Sequence, residues 1–390
     1  MNNLYGYELK KLLKNKILLI TAGVMLLGVL AWGLLSALYP AQKEIGGERP
    51  SRYEFNQMKI EASEVISGRP IDDTMLTELA EAFHSDPNDY GKILRLEDIA
   101  LLVGDVTDTM ASDVIYGTDE DTFYSLLTDK LSMEHFDNLS AEEKEHWQSQ
   151  AQTLLSTPLV YGGYHDGWSS FIAIIKILAY MEILFIAIAL STVFTMEQSR
   201  KTDALIFSSK LGKSKLYWAK LLAGITIGVG FSVLLVTASL GITAAVFGLN
   251  GFDAAIQFIL LRPFLISIGQ AALILIALSI VASLLISVAV MLLSEITKNS
   301  LVTISLIAGA LIVTLFIKEM PDSNRFLYEL WYLLPTNLVS LSGAFRYTLL
   351  SIGSLQLTTY QFAPMALVLV TIAFSIIGKL VYSKYQVDAR

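Results

Sequence analysis

Six apolar runs of about the length needed to cross a bilayer divide the chain. They read Ile17–Tyr39, Trp168–Phe194, Leu216–Phe247, Phe264–Leu293, Leu301–Ile317 and Ala363–Tyr382. A transmembrane helix needs about 20 mainly apolar residues, and no run has the alternation of a membrane β-strand. The third and fourth runs exceed one crossing, so we expect tilt or a break there; the fifth is the shortest. The pattern predicts an all-α membrane protein with six transmembrane helices.

The first apolar run could instead be a cleaved signal peptide. Signal peptides have an apolar core of about 7–15 residues and then a cleavage site of small residues. This run is longer, and the residues 36–40, Ser-Ala-Leu-Tyr-Pro, fit such a site poorly. We therefore expect a retained anchor, with residues 1–39 forming an interfacial helix and the first span.

Basic residues next to the spans predict the orientation of the chain. Six spans place the N-terminus, the 196–215 loop and the C-terminal tail on one side, and all three are rich in Lys and Arg. Such a bias marks the cytoplasmic side. Segments 40–167, 248–262 and 318–362 then lie outside the cytoplasm. We expect a multi-pass protein of the cell membrane with both termini in the cytoplasm.

The composition agrees with a membrane protein and shows a sharp partition of charge. Apolar residues make up 54% and charged residues 16% of the chain, against about 45–50% and about 25% in soluble domains. Residues 40–167 hold 9 Lys/Arg and 26 Asp/Glu, a balance of −17, whereas the remainder carries +9. The chain has no cysteine, which excludes disulfides and thiolate metal sites.

The acidic segment 40–167 has the pattern of a mainly helical extracellular domain. Ser140 and Glu143 form a capping box, which marks the start of a helix. Amphipathic stretches also occur near Tyr53–Ile66, Asp73–Phe83 and Asp121–Leu131. Residues 168–390 then supply the five further spans.

Signals for catalysis or cofactor binding are negative. Gly212-Lys213-Ser214 resembles the end of a phosphate-binding loop, but that pattern needs a glycine where Phe207 stands. The histidines form no zinc signature; they are His84, His135, His146 and His165. We expect no enzyme chemistry, no metal and no cofactor in this chain, and no nucleic-acid partner.

Polar residues inside the spans are candidates for a substrate path. Glu182 falls near the middle of the second span and Lys176 lies about two turns away, so the two point about 120° apart and should not pair. Buried charge in lipid faces a partner or a wet cavity, and both alternatives are open for Glu182. Gln270 is a weaker candidate. Gly224 and Gly228 form a GxxxG pattern, which favours close helix packing.

Two cytoplasmic segments have the character of docking elements. Residues Leu4–Lys16 form an amphipathic stretch suited to lie at the membrane interface and turn into the first span. The 196–215 loop mixes charges with an apolar core at Ala204–Phe207. That mixture suits a short helix that docks on a cytoplasmic protein.

This layout resembles the permeases of the type-two ABC exporter family. Members carry a Glu after the second span, then a Thr, an apolar stretch, a Ser-Lys/Arg pair and a Lys that enters the third span. The matching positions are Glu197, Thr202, Leu205-Ile206, Ser214-Lys215 and Lys220. Lys201 stands where a glycine often precedes the Thr, and the usual Pro before the Ser-Lys/Arg pair is absent. The resemblance therefore rests on the layout of nearly the whole chain more than on the motif.

The resemblance implies the permease subunit of an ATP-driven exporter in a bacterial cell membrane. A cytoplasmic ABC ATPase would hold ATP and Mg, and a second permease chain, identical or related, would complete the substrate path. Membrane lipids surround both. The residues implied to couple to the ATPase are Glu197, Arg200, Lys201, Thr202, Leu205, Ile206, Lys213, Lys215 and Glu295.

Other functions compete with the exporter. An ion-coupled secondary transporter usually shows broken helices related by an inverted repeat, which we do not find in the sequence. A mechanotransmission permease or a sensor also fits an outer domain after the first span, although the former usually has four spans. The sequence contains no motif that favours a membrane enzyme or a scaffold. The acidic domain and Glu182 would suit a cationic or amphipathic peptide substrate, while lipids, sodium ions and hydrophobic drugs stay open.

Overall fold

The structure, a computed structural model, is mostly helical, and its apolar helices lie where the sequence predicts them. It describes residues 2–41, 48–85, 90–108, 118–132, 138–199, 214–317, 320, 324–353 and 355–384. Five stretches among these residues are long and apolar enough to cross a bilayer. They are α2 (Lys16–Leu38), the consecutive helices α8 (Asp166–Leu190) and α9 (Thr192–Ser199), α10 (Lys215–Phe247), α11 (Ile268–Thr297) and α16 (Thr359–Lys384). The chain is a multi-pass membrane protein.

The shortest apolar run forms a helix of its own, α12 (Ser300–Phe316). Its 17 residues rise about 25 Å at about 1.5 Å per residue, against a hydrocarbon core of about 30 Å. The turn from α11 is tight: Lys298 adopts a left-handed conformation with φ 54°, and the Asn299 side chain accepts from the backbone N–H of Leu301 and Val302. Whether α12 makes a sixth crossing stays a prediction.

The helix bundle is built around α11, which packs against α8, α10 and α16. Gly224 and Gly228 lie on the face of α10 that meets it. A Cβ at Gly228 would come within 1.9 Å of Ser287 Oγ, and one at Gly224 within 2.4 Å of Met291 Sδ. The close approach predicted from the GxxxG pattern is therefore confirmed, because a Cβ at either position would collide with a side chain of α11.

The N-terminal segment forms a separate helix, α1 (Asn2–Leu13), ahead of the first long one. Asn15 ends the break between them and accepts from the N–H of Ile17 to cap α2. Helix α1 packs along α10, and the hydroxyls of Tyr5 and Thr226 are hydrogen-bonded at 3.0 Å. The predicted N-terminal helix is present, and its position at the membrane interface stays a prediction.

The described part of the acidic segment folds into five helices with a hydrophobic core of their own. The helices are α3 (Arg52–Glu64), α4 (Asp73–Ser85), α5 (Tyr90–Thr107), α6 (Glu120–Lys130) and α7 (Ala141–Leu154). Four of the five were predicted by the amphipathic pattern, and the capping box of Ser140 and Glu143 opens α7 as expected. Helix α5 was not predicted, although Leu96, Ile99 and Val103 supply part of the core.

The segment before the last span is also folded, and it adds β-structure that the all-α prediction lacks. Helices α13 (Arg325–Tyr332), α14 (Pro335–Leu338) and α15 (Leu341–Ala344) lead into a hairpin of β1 (Leu349–Ile352) and β2 (Leu355–Thr358). The strands pair antiparallel, with Leu349 opposite Thr358. Helix α14 packs between α8, α11 and α12, so this part of the chain enters the bundle. We call residues 325–358 the plug segment.

Candidate functional sites

Most of the predicted coupling residues lie outside the described part of the chain. These are Arg200, Lys201, Thr202, Leu205, Ile206 and Lys213. The described flanks are Glu197 near the end of α9 and Lys215 at the first position of α10, where Lys215 is exposed. What the structure shows is therefore how the two ends of this loop are fixed to the bundle.

A buried ion pair fixes both ends of the loop. Lys220 on α10 is fully buried, and its Nζ lies 2.5 Å from Glu197 Oε1 on α9. The same ammonium donates to the carbonyl of Val193 at 3.2 Å and lies 5.3 Å from the centre of the Phe194 ring. Glu197 is only 9% exposed. Its carboxylate faces inward to Lys220, so its position suits an anchor of the loop better than a contact for a cytoplasmic partner.

Charged residues of α1 and α11 join this pair. We call the group Glu8, Lys11, Glu197, Lys220, Glu295 and Lys298 the basal charge cluster. Lys11 on α1 lies 3.6 Å from Glu197 and 3.5 Å from Glu8. Glu295, 2% exposed near the end of α11, pairs with Lys298 at 2.5 Å. Glu295 also interacts electrostatically with Lys220 and Glu197, so α1, α9, α10 and α11 share one network of charges.

Aromatic contacts and side-chain hydrogen bonds also join the helices at this end of the bundle. Tyr217 stacks on Phe194 with ring centres 5.7 Å apart, and its hydroxyl donates to the carbonyl of Ser375 on α16 at 2.8 Å. Ser294 on α11 donates to the carbonyl of Ser191 at 2.6 Å. A movement at the 200–213 loop would therefore pull on α1, α11 and α16 together.

Glu182 lies inside the bundle and bonds to two neighbouring helices. It is 3% exposed, and its Oε2 accepts from Ser232 on α10 at 3.1 Å and from Ser279 on α11 at 3.0 Å. A cavity of about 10 Å³ adjoins it, and Pro335 and Val339 of the plug segment form part of its wall. Among the described residues no basic side chain pairs with Glu182.

The other two candidates for the path take different positions. Lys176 is half-buried and forms no ion pair with Glu182, as its angular separation on the helix predicts. Gln270 is exposed and completes a capping box at the start of α11, where its side chain accepts from the backbone N–H of Ser267 at 3.0 Å. The three residues do not converge on one site.

A second buried cluster lies where the outer domain meets the bundle, and no pattern in the sequence predicts it. Lys59 on α3 is 4% exposed, with its Nζ 2.6 Å from Asp98 on α5 and 2.9 Å from Asp166 on α8. Glu97 lies 3.6 Å away, and the Tyr161 hydroxyl donates to Asp98 at 2.8 Å. Burial opposes the charged form of Lys59, but the three carboxylates together raise the pKa of its ammonium.

The donor atoms of Asp98, His165 and Asp166 lie close enough together to suggest a metal site. The Lys59 ammonium, however, sits between the two carboxylates and takes the place of a cation. His165 Nδ1 lies 3.2 Å from the carbonyl of Gly163, so it must carry the proton and donate. The arrangement fits a salt-bridged joint between domains and does not fit a metal ion.

A third polar contact joins the outer domain to the plug segment. Glu143 at the start of α7 is 3% exposed and accepts from Arg325 at 2.6 Å and from the N–H of Leu349 at 2.7 Å. Burial disfavours its charged form, yet these hydrogen bonds lower the pKa of the Glu143 carboxyl. Trp147 Nε1, one turn on, donates to the carbonyl of Tyr347 at 2.5 Å. The domain, the plug segment and the bundle are thus connected mechanically.

Comparison of the chain with protein-family models, with curated proteins and with solved structures gives no match.

Proposed function

We propose that this chain is the permease subunit of an ATP-driven exporter of the ABC type, which works with a separate cytoplasmic ATPase and a second permease chain. In this proposal α12 is the sixth span, both termini are cytoplasmic, and the 200–213 loop contacts the ATPase. The chain supplies the conduit and contributes no covalent chemistry. ATP and Mg belong to the partner subunit.

The basal charge cluster is the observation that carries the proposal. A loop that transmits force needs a rigid attachment, and Lys220 and Glu197 hold its two ends together in a buried pair of 2.5 Å. Buried, hydrogen-bonded charges are costly to separate. A push on the loop would therefore move α9 and α10 as one body and reach α1 through Lys11.

The substrate class that we propose is inferred from the net charge of the outer domain. The outer domain carries a net charge of −17, and a surface of one sign raises the local concentration of ligands of the other sign. A cationic or amphipathic peptide is the substrate that this field favours. Released on the outer side, it would meet this domain first.

The first test is the isolation of the intact complex. We expect affinity purification from the native host in mild detergent to recover a stoichiometric ATP-binding-cassette protein. The double charge reversal Lys213→Glu/Lys215→Glu should remove that partner from the purified complex, whereas the matched reversal Glu145→Lys, on an exposed position of the outer domain, should retain it. Recovery of a stable complex without any ATPase would overturn the exporter proposal.

Labelling of single cysteines should decide the number of crossings. The native chain has no cysteine, so each introduced thiol reports alone. With six spans, Asn3→Cys and Ser383→Cys should react with a membrane-impermeant maleimide only after permeabilisation, and Ser149→Cys should react on intact cells; all three positions are exposed. If α12 does not cross, the two terminal cysteines will report opposite sides.

An ion-coupled secondary transporter is the second candidate, and Glu182 favours it. A mid-bundle carboxyl without a basic partner in the described part of the chain, with two serines as neighbours, is typical of ion or proton sites in membranes. In that case an ion gradient alone would drive transport without ATP.

Glu182→Gln should lower transport and leave the fold intact. The amide can keep both serine contacts because its carbonyl oxygen still accepts. We therefore expect the free energy of unfolding to stay within about 1 kcal/mol of that of the native protein. Reconstituted vesicles would be assayed with ATP and, separately, with an imposed ion gradient. Loss of ATP-driven export alone supports the exporter, and loss of gradient-driven transport supports the second candidate. Unchanged transport would remove Glu182 from the path.

A further inference from the structure

A cavity of about 260 Å³ lies in the outer domain, between the end of α6 and one face of α7. Its lining residues from α7 recur at helical spacing and so share one face; they are Lys144, Gln148, Ala151, Gln152 and the capping residue Leu155. From the side of α6 the lining residues are Thr128, Leu131 and Ser132. Lys144 follows Glu143, so the cavity face is turned about 100° from the residue that contacts the plug segment.

The lining combines uncharged polar groups with an apolar floor. Leu131 and Ala151 are buried in the core of the outer domain. The amides of Gln148 and Gln152 lie one helical turn apart, and neither is hydrogen-bonded to a described residue. Each amide offers both a donor and an acceptor, as a backbone peptide group does. The cavity can therefore pair with a peptide backbone above an apolar floor.

Lys144 adds one positive charge to this lining, and none of the described lining residues is acidic. Lys144 is half-buried and forms no ion pair with the described part of the chain. By contrast, Lys59 and Lys130 of the same domain pair with aspartates at 2.6 Å and 2.5 Å. The Lys144 ammonium is therefore available to an anionic group of a ligand.

Charges of opposite sign in the cavity and in the domain restrict the ligand. The net charge of −17 over residues 40–167 repels free anions and attracts cations, whereas the Lys144 ammonium pairs with a carboxylate or a phosphate. A ligand that satisfies both has one anionic end on an otherwise cationic body. A cationic peptide with a free C-terminus has this form, and an apolar terminal side chain would contact Leu131.

We propose that this cavity captures the C-terminus of a cationic peptide, with the terminal carboxylate at Lys144 and the last peptide groups at Gln148 and Gln152. The volume is a little below the range of about 300–1,000 Å³ that small-molecule sites occupy, so it suits the end of a chain and not a whole peptide. The basic residues of the peptide would lie over the acidic surface outside.

This inference deepens the proposed substrate class and rests on it for its biological role. Binding of a peptide to the outer domain is measured without ATP and without transport. An exporter that lacks this site, and a peptide site on a protein that is not an exporter, are therefore separate results.

The test is isothermal titration calorimetry of the full-length protein in detergent. The probe is the N-acetylated peptide Lys-Lys-Ala-Leu, as the free acid and as the C-terminal amide. We expect the acid to bind at least about tenfold more tightly, a ratio that corresponds to about 1.4 kcal/mol and is within reach of one charge-assisted hydrogen bond. Attraction to the acidic surface alone predicts the opposite order, because the amide carries one more net positive charge. Equal affinities, or tighter binding of the amide, would overturn the proposal.

Three variants assign the carboxylate contact. Lys144→Gln should lower the affinity for the acid to that for the amide and leave the affinity for the amide unchanged, which also shows that the domain is folded. Lys144→Arg should keep the preference, because a guanidinium also pairs with a carboxylate. Lys130→Gln is the matched control, since it removes the same charge from the same domain outside the lining. A preference that survives Lys144→Gln, or one that is lost in Lys130→Gln, would overturn the assignment to this cavity.

Inorganic phosphate distinguishes a peptide site from a general anion site. Because the acidic domain repels a free anion, sodium phosphate should displace the peptide acid no better than sodium chloride of the same ionic strength. Displacement by phosphate and not by chloride would overturn the assignment to a peptide.

Discussion

Replacement of Lys220 by methionine is expected to destabilise the protein by about 3 kcal/mol, because the buried Glu197 carboxylate loses the ammonium at 2.5 Å and keeps only longer contacts such as Lys11 at 3.6 Å. Methionine fills nearly the same volume, so the loss of charge is the main change. Thermal unfolding in detergent measures the effect. Lys215→Met, at the exposed first position of α10, is the control. Its free energy of unfolding should stay within about 0.5 kcal/mol of that of the native protein.

The double variant Lys220→Met/Glu197→Gln separates charge from packing. Removal of both charges of a buried pair is often neutral or nearly so, and Lys11 then keeps its pairing with Glu8. We expect the double variant to recover most of the melting temperature lost in Lys220→Met. Strictly additive losses would show that the two residues act independently and would contradict the coupling inferred from the geometry.

Activity of the double variant distinguishes a structural role of the ion pair from a role in force transmission. If the ion pair only supports the fold, the recovered double variant will also regain ATP hydrolysis that responds to substrate. If the pair transmits force from the 200–213 loop, hydrolysis will stay uncoupled although the melting temperature is restored. The comparison of these two readouts in one variant tests the role proposed for the basal charge cluster.

The long helices were predictable because lipid imposes a simple requirement on them. A segment that crosses hydrocarbon must be apolar along its length and must satisfy its backbone hydrogen bonds within itself, so composition alone locates it. The first predicted run, Ile17–Tyr39, differs by one residue at each end from α2. Local capping chemistry predicted the start of α7 in the same way.

The contacts that position the candidate sites are not local, and that is why the sequence did not predict them. Lys59 meets Asp166 across 107 positions and Arg325 meets Glu143 across 182; no spacing rule relates such pairs. The plug segment was missed because helices of four residues, such as α14 and α15, are too short for a periodic pattern. Glu197 and Lys220 were singled out only through the resemblance to exporters, and the structure adds that they face each other.

Lys59→Met should have an effect of similar size on the outer side of the protein. The substitution leaves Asp98, whose side chain is 4% exposed, without the ammonium 2.6 Å away, at a cost of about 3–5 kcal/mol. Lys130→Met is the matched control. Its partner Asp108 is 77% exposed, so that ion pair contributes about 0–1 kcal/mol. Thermal unfolding of the full-length protein, together with limited proteolysis of the outer domain, would report both variants.

The pH dependence of this variant gives the sharper result. In the native protein burial opposes the charge of Asp98, but Lys59 and the neighbouring hydrogen bonds lower the pKa of its carboxyl. The ionised carboxylate therefore contributes its stabilisation above about pH 4, the pKa of Asp in the unfolded chain. This stabilisation is lost as the pH falls further. The contribution of Asp98 to stability should therefore be constant between pH 8 and pH 5. Without Lys59, burial favours the protonated acid, and the variant should gain stability as the pH falls over the same range. If the gap between the two melting temperatures does not narrow toward pH 5, the Asp98 carboxylate does not depend on Lys59, and this ion pair does not stabilise the joint between the outer domain and the bundle.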